Sequence, residues 1–441
     1  MPEGIHIGAA EEDIVPPFTM VMGGNATRGN RHFEGVIDVL SAGALSFRQG
    51  ERRIIIIRMD LSALADEVME AVSKKLEDKY RISPDAVLFN VSHTHSAPLG
   101  RPMDSILFTD GDQALYKKFI GFLEKKLLEI CDVAVRDEEP CSMFFAKTSS
   151  DFGINRRKKI GNEVKSGPEI NGFYDKDLSL IIIKNEKGDI KSILFSYACH
   201  PVVMGSWNFK LSADFPGYAG KYLRENSGAS SVFFLQGCCG NIRPRVLAEG
   251  DYWRKGTLND LETQGRKMGQ AMLEAIDGNL EKLHPDIASA KKVIPLKYER
   301  KMSIEDYRME LEDPENNSIK KNWAARMINC MNNDATFEVR EPFIIQKIQL
   351  SSNTCIIAMS GEVVAEIGRE IKDMAPDMNI ITLGYMNAAY YVPTGEMFPE
   401  KGYEVESYYH FSLSGKVSPE MGDMIVNSCR ELLTQPAVDR L

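Results

Sequence analysis

The chain has 441 residues, of which 26% are charged and 43% hydrophobic, as is usual for a soluble globular protein. Its formal net charge of −10 disfavours nucleic acid as a partner, because phosphate binding needs clustered Lys and Arg. No apolar run approaches the roughly 20 residues that cross a bilayer, so we predict no transmembrane segment. The N-terminus lacks the basic and apolar regions of a signal peptide, which favours the cytoplasm. Secretion with a removed leader stays the alternative, and nothing here indicates an oligomeric state.

Strand and helix patterns alternate along the chain. The predicted strands cover residues 39–49, 52–61, 86–91, 178–184, 193–199, 231–236, 343–350, 354–360 and 379–385. The predicted helices cover residues 63–80, 112–131, 215–226, 257–277 and 361–374, and a last helix begins at Ser418-Pro419. This order predicts an α/β fold of layered mixed β-sheets flanked by helices, in one large domain over residues 1–441. Residues 300–340 are predicted to form a peripheral helical insertion or lid.

The eight cysteines form no CxxC pair and are sparse for the length of the chain, unlike the cysteines of a disulfide scaffold. We expect most of them to be buried free thiols. Cys238 and Cys239 are adjacent, and neighbouring cysteines rarely bond to each other or share one zinc ion.

Two histidines follow a buried strand in NVSHTHSAPLG, residues 90–100, in a chain that has only seven. If the backbone stays extended, His93 and His95 point to the same side, because strand side chains alternate with period two. In open α/β sheets ligands bind at the carboxyl ends of strands. The pair therefore predicts metal ligation or catalysis.

Two further stretches also follow strands. His200 lies in SYACHPVVMG directly after the strand at 193–199, and Asp214 in the following SADFPG either caps a helix or orients a ligand. The loop FFLQGCCGNIRPR breaks from the strand at 231–236. Its Gly237 and Gly240 would let the backbone approach a ligand closely. Catalytic zinc typically takes three protein ligands, so the remaining ones must come from elsewhere.

Together these motifs resemble the catalytic domain of the neutral, non-lysosomal ceramidase family, zinc-dependent amidases that remove the fatty acid from N-acyl sphingosine. SHTHSAP is similar to the family's THTHSGP, ACHPVVMG with SADFPGYAG to HxxSM with SxDxxGY, and LQGCCGNIRP to QxNxGDxSP. MSGEVVAEIGREI resembles PGEFTTxxGRRLRE, LGYMNAAYYVPT resembles GxxNxYxxYxTT, and INRRKK resembles an arginine-bearing NR segment. The resemblance keeps the order of the motifs and runs over essentially the whole chain.

The resemblance implies one zinc ion, held by His93, His200, Glu362 and Tyr391. The spacing from Asn387 is one residue shorter than in the family, so Tyr390 is an alternative to Tyr391. A residue such as Glu362 could instead complement the dipole of the helix predicted at 361–374. Imidazole and carboxylate are ordinary zinc ligands, whereas phenolate is unusual.

The implied reaction is hydrolysis of a linear amide in an N-acyl lipid or related N-acyl amide, with a zinc-bound hydroxide as nucleophile. His95 and Arg156 would stabilise the oxyanion and move a proton, with Arg157 as an alternative to Arg156. Asp60 either fixes the tautomer of an imidazole or caps the next helix. An ester or phosphate hydrolase, and a non-catalytic binding protein with the same fold, remain alternatives.

The sequence departs from the family at two points. Arg243 stands where the family has a serine implicated in catalysis, which puts strict ceramidase activity in doubt. A guanidinium suits bidentate binding of a carboxylate or phosphate, so Arg243 indicates either an anionic substrate or a structural salt bridge. The chain also leaves no room for the C-terminal β-sandwich that follows the catalytic domain in such enzymes, which favours a soluble or differently shaped substrate.

Overall fold

The computed structural model describes residues 4–102, 109–161, 163–333, 342–387 and 390–434. Its strands are β1 Ile5–Asp13, β2 Gly35–Val36, β3 Ser41–Gln49, β4 Arg52–Met59, β5 Val87–Val91, β6 Glu139–Ser149, β7 Gly153–Ile160, β8 Glu163–Glu169, β9 Asp177–Asn185, β10 Ile190–Tyr197, β11 Lys210–Leu211, β12 Ser231–Gln236, β13 Ile242–Pro244, β14 Ala248–Glu249, β15 Tyr252–Trp253, β16 Glu281–Leu283, β17 Pro285–Pro295, β18 Pro342–Ser351, β19 Thr354–Met359, β20 Glu362–Val363, β21 Asn379–Leu383 and β22 Tyr391–Val392. Its helices are α1 Asp66–Tyr80, α2 Asp110–Arg136, α3 Asp214–Ser227, α4 Leu258–Asp277, α5 Ile304–Glu312, α6 Ser318–Asn333, α7 Ala365–Asp373, α8 Met397–Glu400, α9 Tyr403–Glu406 and α10 Met421–Thr434.

The central sheet has nine strands, in the order β12-β10-β9-β6-β1-β3-β4-β5, with β16 beside β6. It is mixed, since β4–β5 and β10–β12 pair in parallel and the other pairs are antiparallel. Helix α2 packs on β1 and β3, while α3 and α4 pack on β12 and β6. The run of isoleucines in β4 is buried throughout, as expected for a strand covered on both faces. The predicted fold of mixed sheets flanked by helices is confirmed.

The sheet curls so that its two edge strands, β5 and β12, come together. Asn90 in β5 makes the junction, because its buried side chain accepts a hydrogen bond from the amide of Gln236 (2.7 Å) and donates one to the carbonyl of Gly384 (2.8 Å). On the inner side of the curl, the ring of Phe233 lies directly over Gly43, where a Cβ would come within 2.2 Å of it. The carboxyl ends of β5, β12 and β21 therefore meet at one place.

A second sheet has the order β17-β18-β19-β21. Its side chains alternate between two apolar clusters, as the period of two in a strand requires. Ile356 and Ile381 face the core of the central sheet, while their neighbours Ile357 and Ile380 pack with α7 and α10. The second sheet is thus continuous with the first core and carries its own strand ends to the same region.

The segment predicted as a helical insertion contains α5 and α6. Trp323 of α6 is fully buried, and its Nε1 donates to the carbonyl of Leu413 at 2.8 Å. Tyr307 of α5 donates to the carbonyl of Ser414 at 2.7 Å, so both helices pack against the segment that follows α9. A role as a lid stays a prediction, and residues 334–340 of that segment lie outside the described residues. Across the described ranges, no helix combines the length and apolarity needed to cross a membrane. All eight cysteines are free thiols, and six of them are buried.

Candidate active site

The candidate site lies where strands of the two sheets end. His93 follows β5, His200 follows β10, and Glu362 follows β19, each by two or three residues. An isolated bridge between Gly237, directly after β12, and Leu383, at the end of β21, ties the two sheets together. The structure therefore brings together the two histidines and the glutamate that the resemblance implied.

His93 and His95 meet, but not for the reason predicted. The backbone does not stay extended, because β5 ends at Val91 and His93 has a φ of 63°, in the left-handed region. Their Nε2 atoms still lie 3.1 Å apart. The two imidazoles therefore lie side by side through a left-handed turn and not through strand alternation, and their role in ligation or catalysis stays a prediction. A positive φ in a residue other than glycine or asparagine is uncommon and typical of functional sites.

His200 and His93 both approach the carboxylate of Glu362. The Nε2 of His200 lies 3.1 Å from Glu362 Oε2, and the Nε2 of His93 lies 3.4 Å from the same oxygen. The other nitrogen of each ring faces backbone carbonyls, at 2.6 Å from Ser62 O for His93 and at 2.9 Å from Cys239 O for His200. A proton on Nδ1 of each ring would satisfy these carbonyls, and this is the tautomer whose Nε2 would bind a metal ion at the centre.

The protonation states also suit a metal centre. Burial lowers the pKa of His200 to about 4, and burial together with His93 and His200 holds the pKa of His95 well below its ordinary value. Burial alone would raise the pKa of Glu362, but its contacts with His93 and His200 hold it well below the usual range. A neutral imidazole, which these shifts favour for His95 and His200, and an ionised carboxylate, which they favour for Glu362, are the forms that bind a metal.

Glu362 is not in a helix. Residues 362 and 363 form β20, which pairs in parallel with β22, and the helix predicted from 361 begins only at Ala365. The amide of Glu362 donates to the carbonyl of Tyr390 at 2.7 Å, so a long-range strand pairing replaces the first helical turn. A role in complementing a helix dipole is therefore excluded for this residue.

The glycines of the QGCCGNIRPR loop serve close packing of the chain. A Cβ on Gly240 would lie 2.5 Å from the carbonyl oxygen of Glu362, and one on Gly237 would lie 3.1 Å from the backbone of Ala198. The expectation that they give a ligand access to the backbone is not what their contacts show. They let the loop pass beside Glu362 and the strand before His200.

A buried group of three imidazoles could hold a metal ion. One ligand atom from each of His93, His95 and His200 lies within 4.8 Å of the other two. Two ligand atoms that each lie about 2.0 to 2.1 Å from a tetrahedral zinc are roughly 3.3 Å apart. The Nε2 atoms of His200 and His93 lie at similar distances, 3.1 and 3.4 Å, from Glu362 Oε2. The Nδ1 of His95 is buried and has no hydrogen-bond partner among the described residues. The donor set therefore fits a small divalent cation.

Both candidate arginines share one buried carboxylate that the sequence analysis did not identify. Arg156 Nε donates to Glu404 Oε1 at 2.8 Å, and Arg157 Nη1 donates to Glu404 Oε2 at 2.6 Å. Arg157 also donates to the carbonyl of Lys401, away from the histidines. The Nη2 of Arg156 is buried without a hydrogen-bond partner in the described part of the chain. Of the two, Arg156 is the one with a donor left over.

Tyr391 and Tyr390 have different surroundings. The guanidinium of Arg156 lies 5.1 Å from the centre of the Tyr391 ring. Burial raises the pKa of Tyr391 well above its ordinary value, against the opposing effect of Arg156, and the charge of Glu362 raises it further. Tyr390 instead packs in the apolar cluster beside α7 and α10. Residues 388 and 389 of this motif lie outside the described residues.

Arg243 lies at the edge of the site. It belongs to β13, and the preceding Ile242 offers its carbonyl oxygen to His200 Nδ1 at 3.1 Å. Its guanidinium stacks over the ring of Trp253 at 4.7 Å. The described residues provide no carboxylate within ion-pair distance of it, so the structural salt bridge considered from the sequence is not seen there.

Asp60 and Asp214, the two aspartates considered from the sequence, both accept hydrogen bonds from backbone amides. Asp60 accepts hydrogen bonds from the amide and hydroxyl of Ser41, at 2.9 and 3.1 Å, and lies 3.3 Å from Arg58. It neither holds an imidazole nor caps α1, whose N-cap is Ala65. Asp214 accepts hydrogen bonds from the amides of residues 203, 204 and 215, so it joins the loop after His200 to the start of α3.

Besides Glu404, three further residues at the site were not predicted from the sequence. Tyr385 follows β21 with a φ of 58°, its ring lies 4.4 Å from that of His93, and its hydroxyl lies 3.4 Å from Glu362 Oε2. Its place after a buried strand was a usable signal. Cys239 donates to Tyr385 at 3.1 Å, and the buried Arg28 donates to the carbonyl of His95 and of two glycines. No local sequence pattern marks Cys239 or Arg28 as a residue of the site.

Comparison with known proteins gives the family of this chain and agrees with its fold. The family model described as neutral/alkaline non-lysosomal ceramidase, N-terminal, matches residues 5–249. Neutral ceramidase from Pseudomonas aeruginosa shares the fold with a TM-score of 0.73 at 16% identity, over 99% of this chain and 76% of that chain. A ceramidase complexed with C2 gives 0.72 at 17% identity, over 99% and 77%. Since the family model covers more than half of the sequence, this chain belongs to the neutral/alkaline non-lysosomal ceramidase family.

Proposed function

We propose that this protein is a zinc-dependent hydrolase of linear amide bonds, acting on an N-acyl lipid or a related N-acyl amide. Membership of the family supports a ceramidase-like hydrolase. The observation that carries the proposal is the convergence of His93 and His200 on the Glu362 carboxylate, with the far side of each ring tied to backbone carbonyls. The solved ceramidase with bound C2 supports an N-acyl lipid as the model substrate.

We assign the metal site to His93, His200 and Glu362, with Tyr391 as the fourth ligand. When bound there, zinc would supply Lewis acidity, polarising the amide carbonyl and acidifying water. His95 is the alternative fourth ligand, since its ring lies within the same group of imidazoles. The buried Nδ1 of His95, which lacks a partner among the described residues, favours a role toward substrate or water.

The residues of the chain supply the other parts of the reaction. We assign proton transfer to His95, whose Nε2 lies 3.1 Å from that of His93; it would accept a proton from the attacking water and return it to the leaving amine. The Nη2 of Arg156 is a donor that Glu404 does not use, and it stabilises the negative charge on the carbonyl oxygen in the tetrahedral intermediate.

The test of this function is metal content together with a substrate panel. The purified protein is expected to contain about one zinc per chain, and chelation is expected to abolish hydrolysis until zinc is restored. The panel compares N-acyl amides with carboxylic and phosphate esters of similar length. Hydrolysis that survives complete removal of the metal would falsify the zinc mechanism. Faster cleavage of esters or phosphates would replace the amidase by one of the other hydrolases, and zinc without any cleavage would favour a binding protein.

Tyr391→Phe is expected to weaken zinc binding by at least the roughly 10-fold that loss of a supporting group costs, because the hydroxyl can no longer donate electron density to the ion. Tyr390→Phe is the matched control and should leave zinc affinity unchanged, since its ring packs among apolar side chains. Competition against a chelator of known affinity measures both. The reverse order of effects would move the ligand to Tyr390.

A further inference from the structure

Arg243 has no carboxylate within ion-pair distance among the described residues. Its guanidinium lies over the ring of Trp253 at 4.7 Å, and its Nε is buried without a hydrogen-bond partner among the described residues. The neighbouring arginines differ, because Arg156 and Arg157 both bind Glu404. A buried donor or charge that lacks a partner is costly, so an arginine in this state points to a ligand that completes it.

The surroundings make this arginine a built anion site. Burial lowers the pKa of Arg243 to about 10, and the nearby positive charge of Arg156 adds to the effect. The guanidinium therefore remains charged at neutral pH while a second cation strengthens the local positive field. Stacking on Trp253 fixes the plane of the guanidinium, and its coplanar N–H groups match the two oxygens of a carboxylate or phosphate.

The position of Arg243 ties this anion site to the candidate metal centre. Ile242, the residue before it, holds the ring of His200 through its carbonyl oxygen at 3.1 Å. Arg243 is therefore the next residue along β13 from one that contacts His200 directly.

We infer that the substrate carries a carboxylate or a phosphate, which Arg243 binds next to the scissile amide. This inference rests on the proposed amide hydrolysis and specifies its substrate class. The substrate is then an N-acyl amide with an anionic group, such as an N-acyl amino acid or an N-acyl amino-alcohol phosphate. A neutral N-acyl amino alcohol has no anionic group that could bind the guanidinium.

The kinetic test uses three amides with one acyl chain, whose amine part is an amino alcohol, an amino acid or an amino-alcohol phosphate. The wild-type kcat/KM is expected to be roughly 10- to 100-fold higher for an anionic amide than for the neutral one, as for a charge-assisted hydrogen-bonded pair. The better of the two anions identifies the group. Arg243→Gln should remove this preference, and Arg243→Lys should retain part of it, because the charge stays while the fork is lost.

Arg245→Gln is the matched control. Arg245 lies two residues further along the chain, where it stacks over Tyr174 at 5.0 Å and donates to the carbonyl of Asp151. The Arg245→Gln substitution therefore removes the same charge outside the site. It should keep the preference for anionic amides. If Arg243→Gln lowers kcat/KM equally for neutral and anionic amides, or if the wild type shows no preference, the inference is overturned while amide hydrolysis stands.

A binding measurement separates this inference from the proposed function. Calorimetry on the zinc-free protein should show tighter binding of the anionic amides than of the neutral one, and Arg243→Gln should weaken only the former, by roughly 10-fold or more. Removing zinc ensures that the metal cannot hold the anion. Preserved anion binding in a protein that cleaves no amide would overturn the proposed function and support the anion site. Equal binding of neutral and anionic amides would overturn the anion site.

Discussion

Replacing His200 with alanine is expected to reduce bound zinc from about one ion per chain to a trace and to lower amide hydrolysis roughly 1,000-fold or more. Metal Lewis acidity is worth several kcal/mol of transition-state stabilisation, and about 4 kcal/mol corresponds to three decades in rate. His200 is fully buried, and its Nε2 lies 3.1 Å from Glu362. Metal analysis and steady-state kinetics on the same preparation measure both effects.

His284→Ala provides the control for the loss of an imidazole, since His284 is exposed and lies between β16 and β17. It should leave zinc and activity unchanged. Because His200→Ala also opens a cavity, its fold is checked by circular dichroism, and His200→Gln, which keeps most of the volume, is measured beside it. A folded His200 variant that retains one zinc and wild-type turnover would remove His200 from the ligand set.

Glu404→Gln is expected to lower the free energy of unfolding by about 3 to 5 kcal/mol. The substitution leaves Arg156 and Arg157 buried side by side, whereas Glu404 now accepts from both at 2.8 and 2.6 Å. Removing one partner of a buried ion pair leaves an uncompensated charge, which is the reason for the large effect. Denaturation in guanidinium chloride, carried out on the zinc-free protein, measures stability without the contribution of bound metal.

Glu400→Gln is the matched control for this prediction. Glu400 also binds Arg157, at 3.3 Å, but its side chain is 33% exposed, so its loss should cost about 1 kcal/mol or less. The two variants differ mainly in the burial of the carboxylate that is removed. A Glu404 variant as stable as the Glu400 variant would show that the arginines are solvated in the folded protein, against the arrangement described.

The sequence pattern predicted much of the fold because the apolar periodicity of a strand or a helix can be recognised within a few residues. The run of isoleucines in β4, the exact span of β12 and the long helix α4 all follow from apolar periodicity. His93 and His200 were found in the same way, since each follows a buried strand. The resemblance then supplied Glu362, which has no local signal of its own.

Long-range pairing decided what the sequence could not. Glu362 lies in a strand because β20 pairs with β22, about thirty residues away, and this contact overrides the helical pattern around it. His93 and His95 meet through a left-handed turn instead of through alternation. In both cases the backbone conformation depends on partners that no short window contains.

The sequence by itself determined the α/β class, the strand ends that carry the histidines and the presence of an arginine in place of the family's serine. Only the tertiary structure decided which charges have partners. Glu404 is remote in sequence from the two arginines it neutralises, whereas Arg243 has no described carboxylate beside it. The physical reason is that an ion pair depends on distance and burial in three dimensions, and neither is written in the local order of residues.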